Sequence, residues 1–107
     1  MGLSATTFRI MYLTNYKYQL ESQLQTITDN KLALTETAEQ MTALGQNMSP
    51  NSDAGLMLMQ RKQRLNAIDR QLDLQMKSIS TKLQMVETEL ASAEKLQQSQ
   101  IKSSFSY

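Results

Sequence analysis

The sequence predicts an all-α protein, a long antiparallel two-helix coiled-coil hairpin that assembles into a helical oligomer or filament. The main observation is a seven-residue apolar repeat in each half: Leu13, Leu20, Ile27, Leu34 and Met41, then Leu72, Ile79, Val86 and Ala93 interleaved with Met76, Leu83 and Leu90. This spacing keeps side chains on one seam of a slightly underwound α-helix. A second observation is a single helix-breaking segment, residues 45–50, between the two halves.

The first helix is predicted over about residues 4–44, since no Pro or Gly interrupts that stretch. Ser4 is the expected N-cap, and Gly45 the expected left-handed residue after the helix. The alternate core position holds the apolar residues Ile10, Leu24 and Ala38. It also holds Lys17 and Lys31, which weaken a seam but can fix its register.

The second helix is predicted over about residues 50–103, after a turn at about 45–49 and before a short C-terminal tail. Ser49 is the expected N-cap, followed by Pro50 at the first helical position, where its missing N–H costs nothing. Ser52 and Asp53 are alternative caps. The second helix is longer than the first, so its end carries apolar residues without a partner inside the hairpin: Ile101, Phe105 and Tyr107.

Apolar residues outside the seam indicate contacts with further helices. Met11, Tyr18 and Leu32 share one line on the first helix. On the second helix the line is formed at eleven-residue spacing by Leu74, Met85 and Leu96. Together with Ile101 and Phe105, these three are the predicted assembly contacts. Scattered surface hydrophobes are common, so an exposed surface without function is the alternative.

Composition excludes several classes of function. The chain has 107 residues, which fits one domain, and a net charge of +1 gives no general attraction to nucleic acid. With no Cys and no His, the usual thiolate and imidazole catalysts and metal ligands are missing. We therefore expect no enzyme, no cofactor, no metal and no small-molecule substrate. No stretch is apolar enough to span a membrane, and we expect no membrane contact.

Four local patterns have a structural and a functional interpretation. Arg61, Lys62, Arg64 and Arg70 indicate a solvated face, or a site for an acidic partner. Among eight Met residues, Met57 and Met59 are expected to plug the hairpin tip. The aromatic residues either pack on the second helix or make assembly contacts: Phe8, Tyr12 and Tyr16. The first six residues match a myristoylation pattern, a frequently accidental match.

Two short motifs resemble needle and filament subunits of type III secretion systems, in which two helices join at a Pro/Ser/Asp/Asn turn. The matching segments are residues 49–53, leading into Leu56 and Leu58, and residues 101–105. The uncharged start, residues 4–8, is compatible with an uncleaved export signal. The chain is longer and its heptads more regular than in needle subunits. It is also similar in size to WXG-type secreted hairpins, although it has no Trp, and to uncharacterised short helical bacterial proteins.

The resemblance implies a structural subunit that self-assembles in a bacterial filament, tube or secretion-related appendage. The implied location is secreted or cell-surface, with the cytoplasm as the alternative. The partner is then another copy or another helical protein. An alternative function is a soluble coiled-coil adaptor or chaperone that binds a partner protein, and a third is an acylated, membrane-peripheral helix pair.

Overall fold

The computed structural model describes residues 2–105, which form two α-helices and, within that range, no β-strand. Helix α1 spans Leu3–Gly45 and helix α2 spans Asp53–Ser104. The predicted all-α helical hairpin is confirmed. Met1, Ser106 and Tyr107 lie outside the described residues, so the predictions for the apolar tail residue Tyr107 and for the start of the acylation pattern fall there.

Helix α1 begins one residue before the predicted cap. The Gly2 carbonyl accepts hydrogen bonds from the Thr6 amide at 3.0 Å and from the Thr6 hydroxyl at 3.1 Å. Ser4 therefore lies inside the first turn, and its prediction as N-cap is wrong. Gly45 is the last helical residue, and no described glycine has a positive φ, so the predicted left-handed conformation is also wrong.

Helix α2 begins at Asp53, about three residues later than predicted. The Ser52 amide donates to the Ser49 carbonyl at 3.1 Å, which closes a reverse turn with Pro50 in its second position, where the fixed φ of proline fits. The Ser52 hydroxyl then accepts from the Gly55 amide at 3.0 Å. Ser52 is thus the N-cap, one of the two alternatives, and the Ser49–Pro50 start is wrong.

Burial follows the heptad without a break along both helices. In α1, buried and half-buried residues recur at alternating intervals of four and three residues from Thr6 to Gly45. In α2 they recur at alternating intervals of three and four residues from Gly55 to Gln100. We call these positions the seam. Alternating intervals of three and four residues are the signature of knobs-into-holes packing between two helices.

Contacts divide the described chain into two groups, each with a segment of both helices. The turn group is Gln25–Lys77, and the terminal group is the remainder. In the terminal group Thr7 is hydrogen-bonded to Gln97, and Arg9 forms an ion pair with Glu89. In the turn group Lys31 meets Asp69 and Asp73. Also in the turn group, Gly45 lies beside Leu58. In each group the later α1 residue thus lies beside the earlier α2 residue, so the two helix segments are antiparallel.

Candidate functional site

The terminal group contains most of the deeply buried side chains. Its buried apolar residues are Leu13, Leu20, Ile79, Val86 and Ala93, all at seam positions. The branched residues Ile79 and Val86 lose little further rotamer freedom on packing, because their χ1 angle is already restricted in a helix. Full burial of a side chain of this size contributes about 1.5–3 kcal/mol. This seam is therefore the main source of stability in the terminal group.

Polar contacts flank that apolar seam near the start of α1. Gln97 donates from its side-chain amide to the Thr7 hydroxyl at 3.2 Å. Arg9 pairs with Glu89 at 3.4 Å, and both side chains are about half exposed. An ion pair this exposed contributes at most about 1 kcal/mol. These contacts favour one register of the two helices more than they add stability.

The turn group has a more polar seam, with Ile27 as its buried apolar residue. Lys31 occupies a seam position and forms ion pairs with Asp69, at 3.5 Å, and with Asp73. The hydrogen bond that the Lys31 ammonium donates to Asp73 is the largest cause of the raised pKa of Lys31. Desolvation partly offsets it, and Asp69 raises the pKa further. Lys17, at an equivalent position in the terminal group, forms an ion pair within its own helix, with Glu21 at 3.9 Å.

Every residue proposed for the seam lies at a buried or half-buried position. Besides the buried residues already named, the half-buried ones are Leu34, Met41, Leu72, Met76, Leu83 and Leu90. The predicted seam residues did not include the polar and glycine seam positions of α2, nor Leu58 and Leu65. Steps of seven back from Leu72 give positions 65 and 58, and steps back from Met76 give 69, 62 and 55. Steps of seven forward from Leu90 and Ala93 give Gln97 and Gln100.

The proposed assembly contacts are all exposed. Leu74 exposes 69% of its surface and Phe105 81%, and Met85, Leu96 and Ile101 also belong to the exposed set. Leu74 belongs to the turn group and the other four to the terminal group. The idea that Leu74, Met85 and Leu96 share one line is wrong. Because the seam repeats every seven residues, an eleven-residue step moves the side chain to a different position around the helix.

An exposed aromatic cluster lies near the start of α1. Phe8 is 70% exposed and Tyr12 69% exposed, so they do not pack on α2. The Tyr12 ring stacks on the half-buried Tyr16 ring, with centroids 6.3 Å apart and an interplanar angle of 7°. Met11 and Tyr18 are exposed beside them. These aromatic residues therefore form an exposed surface, which either makes an assembly contact or has no partner.

An open groove lies at the hairpin tip, in the turn group. Its volume is about 370 Å³, and apolar side chains contribute most of its wall, among them Met48, Leu58 and Met59. Met57 and Met59 remain about half exposed, so the prediction that they plug the tip is wrong. Gly45 and Gly55 also line the groove, and the chain packs closely on both, because an added Cβ would lie 2.8 Å from Cδ2 of Leu58 and 2.3 Å from the Ser49 carbonyl oxygen, respectively.

The described residues contain no cluster of three or more acidic side chains arranged to hold a metal ion. Neither α1 nor α2 has a stretch that is both long and apolar enough to traverse a lipid bilayer. The carboxylates instead lie along helix surfaces or pair with lysine and arginine. Residues 2–105 also present exposed apolar side chains and charged helix faces. Comparisons with protein-family models, with curated proteins and with solved structures found no match.

Proposed function

We propose that the chain is a structural coiled-coil subunit that self-associates through the exposed apolar side chains of its helices. The proposed setting is a bacterial filament, tube or secretion-related appendage, and its support is the resemblance of the turn and C-terminal segments to secretion-system subunits. The observation that supports self-association is that more apolar side chains are exposed than buried. Among the described residues, seventeen large apolar side chains are exposed, whereas six apolar residues are buried.

The chain's accessible surface supports the same proposal. It measures 8184 Å² for a mass of 12.2 kDa. A compact folded monomer of that mass exposes about 6,100 Å². The difference, about 2,000 Å², exceeds the roughly 800 Å² that one partner contributes to a standard protein interface. Association with further helices would cover this excess.

The test is to measure assembly of the purified chain against concentration, by size exclusion with light scattering and by negative-stain microscopy of the same fractions. Oligomers or fibres are expected. The double variant Ile101→Asp and Phe105→Asp should lose assembly and keep its helical circular dichroism, because it places charges on an apolar contact surface. The matched control is Ser99→Asp with Ser103→Asp, which adds the same charge at exposed polar positions of the same helix end.

A wild-type chain that stays monomeric at high concentration would contradict the proposal. Equal loss of assembly in both double variants would also count against it, since added charge alone would then explain the effect.

The second candidate, an adaptor or chaperone, draws its support from the tip groove. Flexible Met side chains suit a groove that accepts varied apolar partners. That function requires a stable small oligomer or monomer whose partner binding is lost on Met59→Asp.

A further inference from the structure

Two short rows of exposed side chains in the turn group have matching spacing and opposite charge. The acidic row lies on α1 and consists of Leu32, Glu36, Glu39 and Ala43. The basic row lies on α2 and consists of Met57, Arg61, Arg64 and Ile68. Each row advances by four, three and four residues, which keeps its members on one side of a helix.

Both rows lie outside the seam and are exposed. The apolar ends include Leu32, which is 62% exposed, and Met57 and Ile68, which are about half exposed. All four charged residues are exposed as well. Within the part of the chain that the structure describes, none of these four charged side chains has an ion-pair partner. Each row therefore offers a complete, unoccupied contact surface.

Each row also places two like charges three residues apart on one helix. Glu36 and Glu39 repel each other, and so do Arg61 and Arg64, because residues three apart are neighbours on the helix surface. Docking of the opposite row would offset both repulsions with attractions between unlike charges. The spacing of four, three and four reads the same in both directions, so the two charge pairs match for either relative direction of the helices.

We propose that the acidic row of one chain docks on the basic row of a second copy. This inference rests on the proposed self-association and names one of its interfaces. The apolar ends would be buried against each other, while the charges would set register and exclude wrong partners. When a chain uses its two rows on two different neighbours, the contact is head-to-tail and propagates into a ring or filament.

The experiment reverses the charge of each row separately. One variant carries Glu36→Arg and Glu39→Arg, and the other carries Arg61→Glu and Arg64→Glu. Glu and Arg are similarly good helix formers, so both variants should keep the helical circular dichroism of the wild type. Each variant alone should associate at least about tenfold more weakly, because like-charged rows then face each other.

The decisive measurement is whether association is restored when opposite charges face each other again. An equimolar mixture of the two reversed variants should associate as the wild type does, since every contact between unlike variants again pairs opposite charges. The single chain with all four reversals should also be restored. The control Glu87→Arg with Glu94→Arg makes the same charge change as the acidic-row variant, at exposed positions outside both rows, and should leave association unchanged. Raising salt to 1 M should weaken wild-type association, because the Debye length falls to about 3 Å.

The outcomes separate this inference from the proposed function. If the wild type associates and the row reversals change nothing, the row contact is wrong while self-association stands. If reversal abolishes association but neither the mixture nor the fourfold variant restores it, the pairing of the two rows is wrong. A wild type that remains monomeric overturns both the inference and the proposed function.

Discussion

Lys31 shows how a charged residue can belong to a helix–helix seam. Its position is one that apolar residues occupy elsewhere in the repeat, and its ammonium lies between two carboxylates of α2. A lysine without a partner there would weaken the seam. The ion pairs of Lys31 instead restrict α2 to the register that places Asp69 and Asp73 opposite it. The sequence indicated the seam position of Lys31. It did not indicate that Asp69 and Asp73 are its partners, because Asp69 looks like a surface residue unless the seven-residue repeat of α2 is extended back to residue 69.

The raised pKa of Lys31 predicts a loss of stability at alkaline pH. Its ordinary value is 10.5, and the carboxylates of Asp73 and Asp69 raise it in the folded chain. The folded state therefore holds the proton more tightly than the unfolded state. The resulting stabilisation is complete below pH 10.5 and is lost as the pH rises through the folded pKa.

Urea unfolding between pH 9 and pH 12 checks this prediction by comparing the wild type with Lys31→Met. The free energy of unfolding of the wild type, relative to that variant, should be constant at lower pH and fall above pH 10.5. The variant Asp69→Asn with Asp73→Asn keeps the lysine but removes the cause of the shift. Relative to Lys31→Met, this control should show no such fall. A flat difference between wild type and Lys31→Met would contradict the assigned pKa shift.

At the scale of elements, the sequence predicted the two helices within about a residue at three of their four ends. The heptad carries that information because burial of one helical face requires it. The exception is the start of α2, where Ser49, Pro50, Ser52 and Asp53 all suit a helix start. Several local hydrogen-bond patterns compete there, and the structure selects a reverse turn before the Ser52 cap. Composition alone does not rank such alternatives.

Two glycines of the seam make a matched test of how closely the chain packs around the turn. A Cβ added to Gly55 would lie 2.3 Å from the Ser49 carbonyl oxygen, which belongs to the backbone of the turn. A Cβ added to Gly45 would lie 2.8 Å from Cδ2 of Leu58, the end of a flexible side chain. Both substitutions improve helix propensity by about 1 kcal/mol. Only the first requires the turn backbone to move.

We expect Gly55→Ala to lower the free energy of unfolding by about 1–3 kcal/mol, the typical cost of overpacking. Gly45→Ala should be neutral, or more stable by up to about 1 kcal/mol, because the Leu58 side chain can turn away. Chemical denaturation of both variants at one low protein concentration, followed by circular dichroism, measures the difference. Equal stability of the two variants would mean that the Ser49–Gly55 contact does not constrain the turn.

At the scale of the whole molecule, the seam and the surface lead to different expectations about stability. The seam is continuous but buries only six apolar residues deeply among those described, and its polar residues Lys17 and Lys31 form partly exposed ion pairs. Two helices offer one stripe each and cannot enclose a layered core. Much of the stability of the working protein should then come from association. The sequence predicted the seam from periodicity, whereas it could not predict which exposed residues are used, because periodicity describes one chain at a time.

Association of this kind makes thermal stability depend on protein concentration, because any partner that binds only the folded state stabilises it by mass action. The melting temperature of the wild type should rise steadily over a hundredfold increase in concentration. The variant Ile101→Asp with Phe105→Asp should melt at a lower temperature that changes little with concentration, and the control Ser99→Asp with Ser103→Asp should follow the wild type. Circular dichroism melts in cells of different path length make this comparison directly. A concentration-independent wild-type melting temperature would show that the two-helix seam is sufficient for the isolated chain, and the exposed apolar residues would then serve a partner other than a second copy.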